Sequence, residues 1–277
     1  MSTTYESTIL ITGGTSGLGL AAAHSLASSQ KDKLILLASR TDISSAAVSI
    51  NKKTGTSNTQ YIPLDLGSLA SVRAFASKYA SASYPPISAL VLNAALQFVG
   101  PPNFTPDNIE TTFAVNHVAH ALLFNLLTPH LTPDAQIIVV ASGVHDPAQK
   151  TGMPDAVYTT AAALAQPTSD IALKDGRQQY TNSKLANVLW TYALERRVRD
   201  AGKGWSVNAF DPGLMPGTGL ARDNGVVLRF IWRILPVFIP LLRVVMFENI
   251  HTTVESGRAL AGCAVEGEGA SGKYYEG

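Results

Sequence analysis

Tyr180-Thr181-Asn182-Ser183-Lys184 sets a phenol and an amine four residues apart. On a helix that spacing puts both on one face. A phenol with its ordinary pKa of about 10 is a poor proton donor or acceptor at neutral pH. A lysine one turn away stabilises the phenolate and moves the tyrosine toward useful pH, so the pair suits a general acid–base step. Ser142, in Val140-Ala141-Ser142-Gly143, adds a hydroxyl that can hydrogen-bond a carbonyl oxygen while Tyr180 protonates it. Asn116 lies in Val115-Asn116-His117-Val118, mid-helix, where asparagine is a mediocre helix former. It is either a buried amide satisfied by backbone or a member of the same chemistry.

A second cluster could hold phosphate. Thr12-Gly13-Gly14-Thr15-Ser16-Gly17-Leu18-Gly19 follows an apolar run and opens a helical pattern. Gly13, Gly17 and Gly19 remove side chains where a pyrophosphate must approach backbone N–H groups, and the helix N-terminus favours its charge. The competing reading is a flexible loop, and the strand-to-helix context favours a dinucleotide site formed with Thr15, Ser16 and Leu18. The next apolar run ends Leu37-Ala38-Ser39-Arg40, with no acid between Lys33 and Thr41. A carboxylate there would hold the ribose hydroxyls of NAD. A guanidinium instead suits a 2′-phosphate, so Ser39 and Arg40 point to NADP(H).

These groups need a scaffold, and the chain alternates. Apolar runs at Thr8–Ile11, Leu34–Leu37, Gln60–Ile62, Ala89–Leu92, Ile137–Val140 and Val207–Phe210 are near-continuous, as strands buried on both faces should be. Helical stretches fall at Gly19–Ser29, Ser68–Ala82, Asp107–Leu127 and Tyr180–Ala201. Ser68 reads as a cap, and Thr105-Pro106 as a cap with a first-turn proline. The expected fold is a single α/β domain over residues 1–277: a doubly wound parallel sheet with helices on both faces. Ser142 then sits at a strand's C-terminal end, where such sheets put their ligands.

The glycine spacing TG-x-x-x-G-x-G, followed in order by Asn93, Asn116, Ser142, Tyr180/Lys184 and Pro212-Gly213, resembles the short-chain dehydrogenase/reductase family. The resemblance spans Ser7 to Tyr274 and implies a Rossmann-type fold. It implies that Asp65 and Leu66 flank the adenine, although Asp65 could instead cap the helix at Ser68. It assigns Asn93, Ala94 and Ala95 to the cofactor backdrop, with Leu92 and Ala95 departing from the family's N-N-A-G. It gives Asn116 a water-mediated proton path to Lys184, and Lys184 a second duty on the ribose. Pro212, Gly213 and Thr218 would anchor the nicotinamide carboxamide, although Thr218 falls one residue later than the usual spacing. The 38 residues from Ser142 to Tyr180, with Asn116-His117 and Tyr180 to Asn187, resemble the branch of retinol dehydrogenases and protochlorophyllide reductases. That branch acts on hydrophobic conjugated substrates. His145, Leu214, Trp232 and Phe238 are the expected substrate contacts.

Composition narrows the remainder. With 46% hydrophobic and 15% charged residues, the chain can bury a real core and is not a disordered one. Net charge of +1 gives no support for a nucleic-acid partner. The single cysteine, Cys263, excludes an internal disulfide and a cysteine-based zinc site. His117 and His120 lie three apart on a helix but form an incomplete metal site, so no metal is expected. Met1–Ser7 lacks the pattern of a secretory signal.

Val226–Phe247 is apolar enough to suggest a membrane span. It carries Arg229, Arg233 and Arg243, and each would cost about 2.5–3.5 kcal/mol near a bilayer centre. Pro236 and Pro240 break it into shorter pieces. The expectation is a lid over residues 220–247 that closes on a greasy substrate, with core packing and shallow membrane attachment as competing readings.

The functional expectation is an NADP(H)-dependent oxidoreductase. It would reduce a carbonyl or conjugated enone on a hydrophobic small molecule, or run the reverse alcohol oxidation. It is expected in the cytoplasm, with room left for peripheral membrane contact and for a homodimer. Two alternatives stay open: a non-catalytic NADP(H) sensor, and a cofactor-using scaffold for a non-redox cyclisation.

Overall fold

The computed structural model describes residues 5–168, 175–216, 249–265 and 270–277. Seven strands form one sheet: β1 (Ser7–Thr12), β2 (Lys33–Ser39), β3 (Thr59–Pro63), β4 (Ile87–Leu92), β5 (Leu131–Val140), β6 (Ser206–Asp211) and β7 (Tyr274–Glu276). Their order is β3-β2-β1-β4-β5-β6-β7, and every pair is parallel. The chain builds outward from β1 in one direction and from β4 in the other. The connections leaving β1 and β4 therefore run in opposite directions, and at such a switch point doubly wound sheets open a ligand crevice at the carboxyl ends of the strands.

Continuous apolar runs produce this sheet because both faces are covered. Leu10, Leu36, Leu90, Ile137 and Val139 point into one core, with Val72 and Phe75 of α3 (Leu69–Ser81). That core also takes Leu123 of α5 (Ala119–Leu127) and, after the short α6 (Ala161–Ala165), Leu194 of α7 (Gly176–Asp200). The alternate residues Ile9, Ile11, Ile35, Leu37, Val91 and Ile138 point into the other. They meet α1 (Gly17–Ser29), α2 (Ala46–Thr54) and α8 (Thr253–Val265). The expected doubly wound parallel sheet is thus the observed one.

Helix α3 begins where expected: Ser68 accepts a hydrogen bond from the Ser71 N–H at 3.3 Å. The helix expected from Asp107 starts later. Thr105 and Asn108 close a turn instead, and α4 (Thr111–Phe113) is capped by the Glu110 carboxylate, which accepts from the Thr112 and Phe113 N–H groups at 2.9 and 2.7 Å. A carboxylate holding two N–H groups at a helix N-terminus outcompetes a hydroxyl, which explains the correction. The chain then runs through a π-helical turn, Ala114–Val118, into α5.

Among the described residues no helix is long and apolar enough to cross a membrane. The expected lid, with Trp232 and Phe238, and the expected contact Thr218 lie outside the described residues.

Candidate active site

The glycine turn joins β1 to α1. Gly13 and Gly17 take φ of +67° and +53°, which side-chain-bearing residues rarely adopt. A Cβ on Gly19 would lie 2.5 Å from the Gly13 carbonyl oxygen, so this helix can approach the turn only as glycine. Ser16, the residue before the helix, is extended and makes no side-chain cap. The first N–H groups of α1 are therefore left uncapped by it and can face an anion. These features fit a pyrophosphate. Thr15 is tied to the neighbouring strand end: its N–H donates to Ser39 Oγ at 3.3 Å and its hydroxyl to the Thr41 carbonyl at 3.0 Å. Arg40 is exposed and, with Asp65, Ser71 and Lys78, lines a depression of about 300 Å³.

Asp65 resolves a question left by the sequence. Its Oδ1 accepts from the Gly67 N–H at 2.9 Å, making a local turn, while Ser68 is the cap of α3. Leu66 is buried in the core. Asn93 binds the β1 end from β4: its Nδ2 donates to the Thr12 carbonyl at 2.7 Å. The Asn93 and Ala94 N–H groups both donate to Thr12 Oγ1, at 2.8 and 3.0 Å. A Cβ on Gly13 would press on Ala94 at 3.0 Å. Asn93 and Ala94 therefore hold the glycine turn from behind; Ala95 follows, half-buried.

Tyr180, Lys184 and Ser142 converge at the carboxyl end of β5. Helix α7 starts at Asp175, which caps the Arg177 N–H at 2.9 Å. Gly176 fixes its angle, since a Cβ there would lie 2.5 Å from the Phe98 carbonyl oxygen. The segment between Ser142 and Tyr180 is strapped to the same helix. Asn182 Oδ1 accepts from the Val157 N–H at 2.7 Å, and Gln178 Nε2 donates to the Asp155 carbonyl at 2.6 Å. One turn on, Lys184 Nζ donates to the Val140 carbonyl at 3.0 Å, sharing it with Asn187 Nδ2 at 3.2 Å. The Lys184 ammonium lies 5.6 Å from the Tyr180 ring centroid.

Tyr180 and Lys184 are 5% and 2% exposed. Burial raises the pKa of the phenol, and the negative Asp211 raises it further; a hydrogen bond with the Ser142 side chain works the other way. Burial pulls the Lys184 ammonium down to about 8, against the attraction of Asp211. His145 Nδ1 lies 2.7 Å from the Ser142 carbonyl oxygen, and its ring packs on Tyr274 at 5.4 Å. Leu214 is half-buried and pairs with Ile250 just beyond β6. Gly213 takes φ of +69°, and a Cβ there would collide with Asn249.

Asn116 sits inside the π-helical turn. Its side chain is fully engaged. Oδ1 accepts from the Leu96 N–H at 2.9 Å, and Nδ2 donates to the Leu96 carbonyl and to Ser183 Oγ, both at 3.0 Å. Its role in this geometry is to join the loop after β4 to α7.

Four residues around the site were given no part in it from the sequence, His117 and His120 having been read only as an incomplete metal site. His120 bridges Thr12 Oγ1, 2.9 Å from Nε2, and the Asn116 carbonyl, 3.2 Å from Nδ1. Its neighbour His117 meets Asn187 Oδ1 at 2.9 Å and stacks on Phe113. Asp211 and Tyr274 complete the floor. Nothing in local spacing announces the contact from β7, since Tyr274 belongs to a strand of three residues.

The model of the short chain dehydrogenase family matches residues 7–174. The chain belongs to the short-chain dehydrogenase family. A relative from Brassica napus, described as short-chain dehydrogenase TIC 32 A, chloroplastic, is 31% identical over 83% of this chain and 72% of its own. A protochlorophyllide reductase of Avena sativa is 30% identical over 91% of this chain and 83% of its own. The structure of a short-chain dehydrogenase from Burkholderia cenocepacia in complex with NADP superposes with a TM-score of 0.67 at 20% identity, covering 99% of this chain and 96% of that one. This member of the family is an oxidoreductase, and its protochlorophyllide reductase relative agrees with the branch its spacing resembles.

Proposed function

We propose that this short-chain dehydrogenase uses NADP(H) to reduce a carbonyl or conjugated enone on a hydrophobic small molecule, or to run the reverse oxidation. One observation carries the reading: the Tyr180 phenol is buried between the Lys184 ammonium and the Ser142 hydroxyl, at the carboxyl edge that also bears the glycine turn.

NADPH, when bound, supplies the hydride. The diphosphate would rest on the N–H groups after Gly13, with Thr15, Ser16, Gly17, Leu18 and Gly19 around it. Ser39 and the Arg40 guanidinium would meet the 2′-phosphate, and Pro212 and Gly213 the carboxamide. Ser142 orients the substrate oxygen. Tyr180 gives that oxygen its proton as carbon is reduced, so a carbonyl, one hydride and one proton become an alcohol. Lys184 stabilises the resulting phenolate, and Asn116, by bonding the loop after β4 to Ser183 of α7, keeps the helix that carries both residues in place. His145 and Leu214 border the substrate's side of the site. The hydrophobic substrate also accommodates a peripheral membrane contact by a cytoplasmic protein.

The test is NADPH oxidation against a panel of hydrophobic ketones, aldehydes and enones, with product mass. We expect substrate-dependent turnover with a gain of two hydrogens, lost in Tyr180→Phe while NADPH still binds. Cofactor binding without turnover across the panel would favour a sensor. A product of unchanged mass would favour a non-redox scaffold.

A further inference from the structure

Lys184 and Asn187 share one acceptor. Lys184 Nζ and Asn187 Nδ2 both donate to the Val140 carbonyl, at 3.0 and 3.2 Å. That oxygen lies at the last residue of β5 and has two lone pairs, one for each donor from α7. Tyr180, Lys184 and Asn187 follow one another along a single face of the helix, within an arc of about 60°. Asn187 therefore fills the side of the oxygen remote from Tyr180 and leaves the ammonium the nearer one. The sense of the Asn187 amide is fixed. A carbonyl oxygen only accepts, so Nδ2 must face Val140 and Oδ1 must face the other way. There Oδ1 meets His117 Nδ1 at 2.9 Å. Oδ1 also only accepts, so the imidazole carries a proton on Nδ1 and donates it. The ring is held from two helices: it stacks on Phe113 with centroids 5.2 Å apart and meets Trp190 edge-on at 5.8 Å. Asn187 and Lys184 are each 2% exposed, which leaves little room for water to replace a lost bond.

We propose that His117 and Asn187 are a pair of positioning residues: His117 locks the Asn187 amide, and the amide holds the Val140 carbonyl so that the Lys184 ammonium stays turned toward Tyr180 and the cofactor ribose. The proposal rests on the roles given to Tyr180 and Lys184 under the proposed function. An ammonium has three N–H groups. One is bonded to Val140, and the others are left for the ribose and the phenolate. If Asn187 lets go of the carbonyl, the ammonium can follow the freed lone pair away from the phenol. If His117 stops donating, the amide can turn over and present its oxygen to Val140, acceptor against acceptor. Either change reaches the reacting atoms only through Lys184.

The experiment compares wild type with three variants. His117→Phe keeps a ring against Phe113 and Trp190 but has no N–H to give. His117→Asn can donate from the place of Nδ1. Asn187→Leu removes the amide at similar volume. NADPH affinity, melting temperature and kcat on a turned-over member of the carbonyl panel are recorded for each. We expect His117→Phe and Asn187→Leu to lose roughly tenfold to 10²-fold in kcat and to bind NADPH more weakly, with melting temperatures near wild type. His117→Asn should recover most of both losses. Placing His117→Phe on Lys184→Ala should weaken NADPH binding no further, whereas a residue that merely braces the helix would still add its loss. A folded His117→Phe with the kcat and NADPH affinity of wild type overturns the proposal, and so does a full further loss on Lys184→Ala. Nitrogen-15 spectra of the histidines in wild type need neither turnover nor a folded Phe variant. With the His117 signal identified by its absence in His117→Asn, a protonated Nδ1 supports the pair and a bare Nδ1 overturns it. Undiminished turnover in Tyr180→Phe and Lys184→Ala removes the acid–base assignment instead, and NADPH affinity in His117→Phe then decides for or against the pair.

Discussion

Thr12 Oγ1 and His120 Nε2 lie 2.9 Å apart, and through them the cofactor turn is bonded to the π-helical turn of Asn116. Thr12 also accepts from the Asn93 and Ala94 N–H groups, so its hydroxyl hydrogen is the one left to give to His120. Nδ1 must then carry the imidazole proton toward the Asn116 carbonyl. This chain of bonds works only with a neutral ring, and burial depresses the His120 pKa to about 3.

Acid should expose that requirement. Between the ordinary pKa of 6.5 and about 3 the unfolded chain binds a proton at this position that the folded chain refuses. Stability is then complete above pH 6.5 and falls as pH drops through that window, at about 1.4 kcal/mol per unit. His117, also depressed by burial, adds to the slope. Denaturant unfolding of His120→Gln from pH 6.5 to 4 should give a flatter dependence than wild type. Equal slopes would mean that His120 protonates normally in the fold.

Lys184→Ala should cost turnover and cofactor affinity together. The amine is buried, one turn from Tyr180, and holds the Val140 carbonyl beside Ser142. A variant that loses rate but binds NADPH as wild type does would confine the lysine to the proton step.

Arg40→Asp should move cofactor preference toward NADH. Losing a charge-assisted hydrogen bond removes about 1.5–3 kcal/mol of binding, and the new carboxylate repels a 2′-phosphate. The readout is the NADPH/NADH ratio of kcat/KM, or of Kd. An unchanged ratio would place the phosphate on another group, with Lys78 across the same depression the first to test.

Gly257→Ala should loosen α8 from α1. The added Cβ would fall 2.5 Å from the Ala21 Cβ and 2.9 Å from the Ala21 carbonyl carbon, and overpacking of this kind costs roughly 1–3 kcal/mol. Gly100→Ala, with nothing within 4 Å, is the control and should stay within about 0.5 kcal/mol. Equal melting temperatures for the two would show that α8 yields without cost.

The sheet was legible because buried parallel strands are written as unbroken apolar runs, and Ile9 to Ile11 or Ile137 to Val140 leave no other reading. Motif residues were legible because their chemistry is local: Tyr180 and Lys184 are one turn apart, and the glycines crowd one turn. What escaped was non-local or weakly patterned. Helix α2 is short and polar, and β7 is too brief for any period. Helix α8 did carry a signal, since Thr252 and Glu255 cap each other's N–H groups reciprocally. His120 looked like half a metal site, because its partner Thr12 is 108 residues away. Asp211, just ahead of Pro212-Gly213, drew no attention, since its neighbours Ser142 and Tyr274 arrive from other strands.

The all-parallel sheet has a kinetic consequence. Among the described residues no two strands pair antiparallel, so no hairpin can seed the sheet locally. β1 meets β2 only after α1 has been traversed, as Ser7 pairs with Lys33, and it meets β4 across the chain from Thr8 to Ile87. Each closure spends chain entropy before any strand contact repays it, which places such topologies among the slower folders. Until β4 arrives, Ile9 and Ile11 form a bare apolar edge. A nascent or diluted chain is then most prone to sticking at the strand that will later present the cofactor turn.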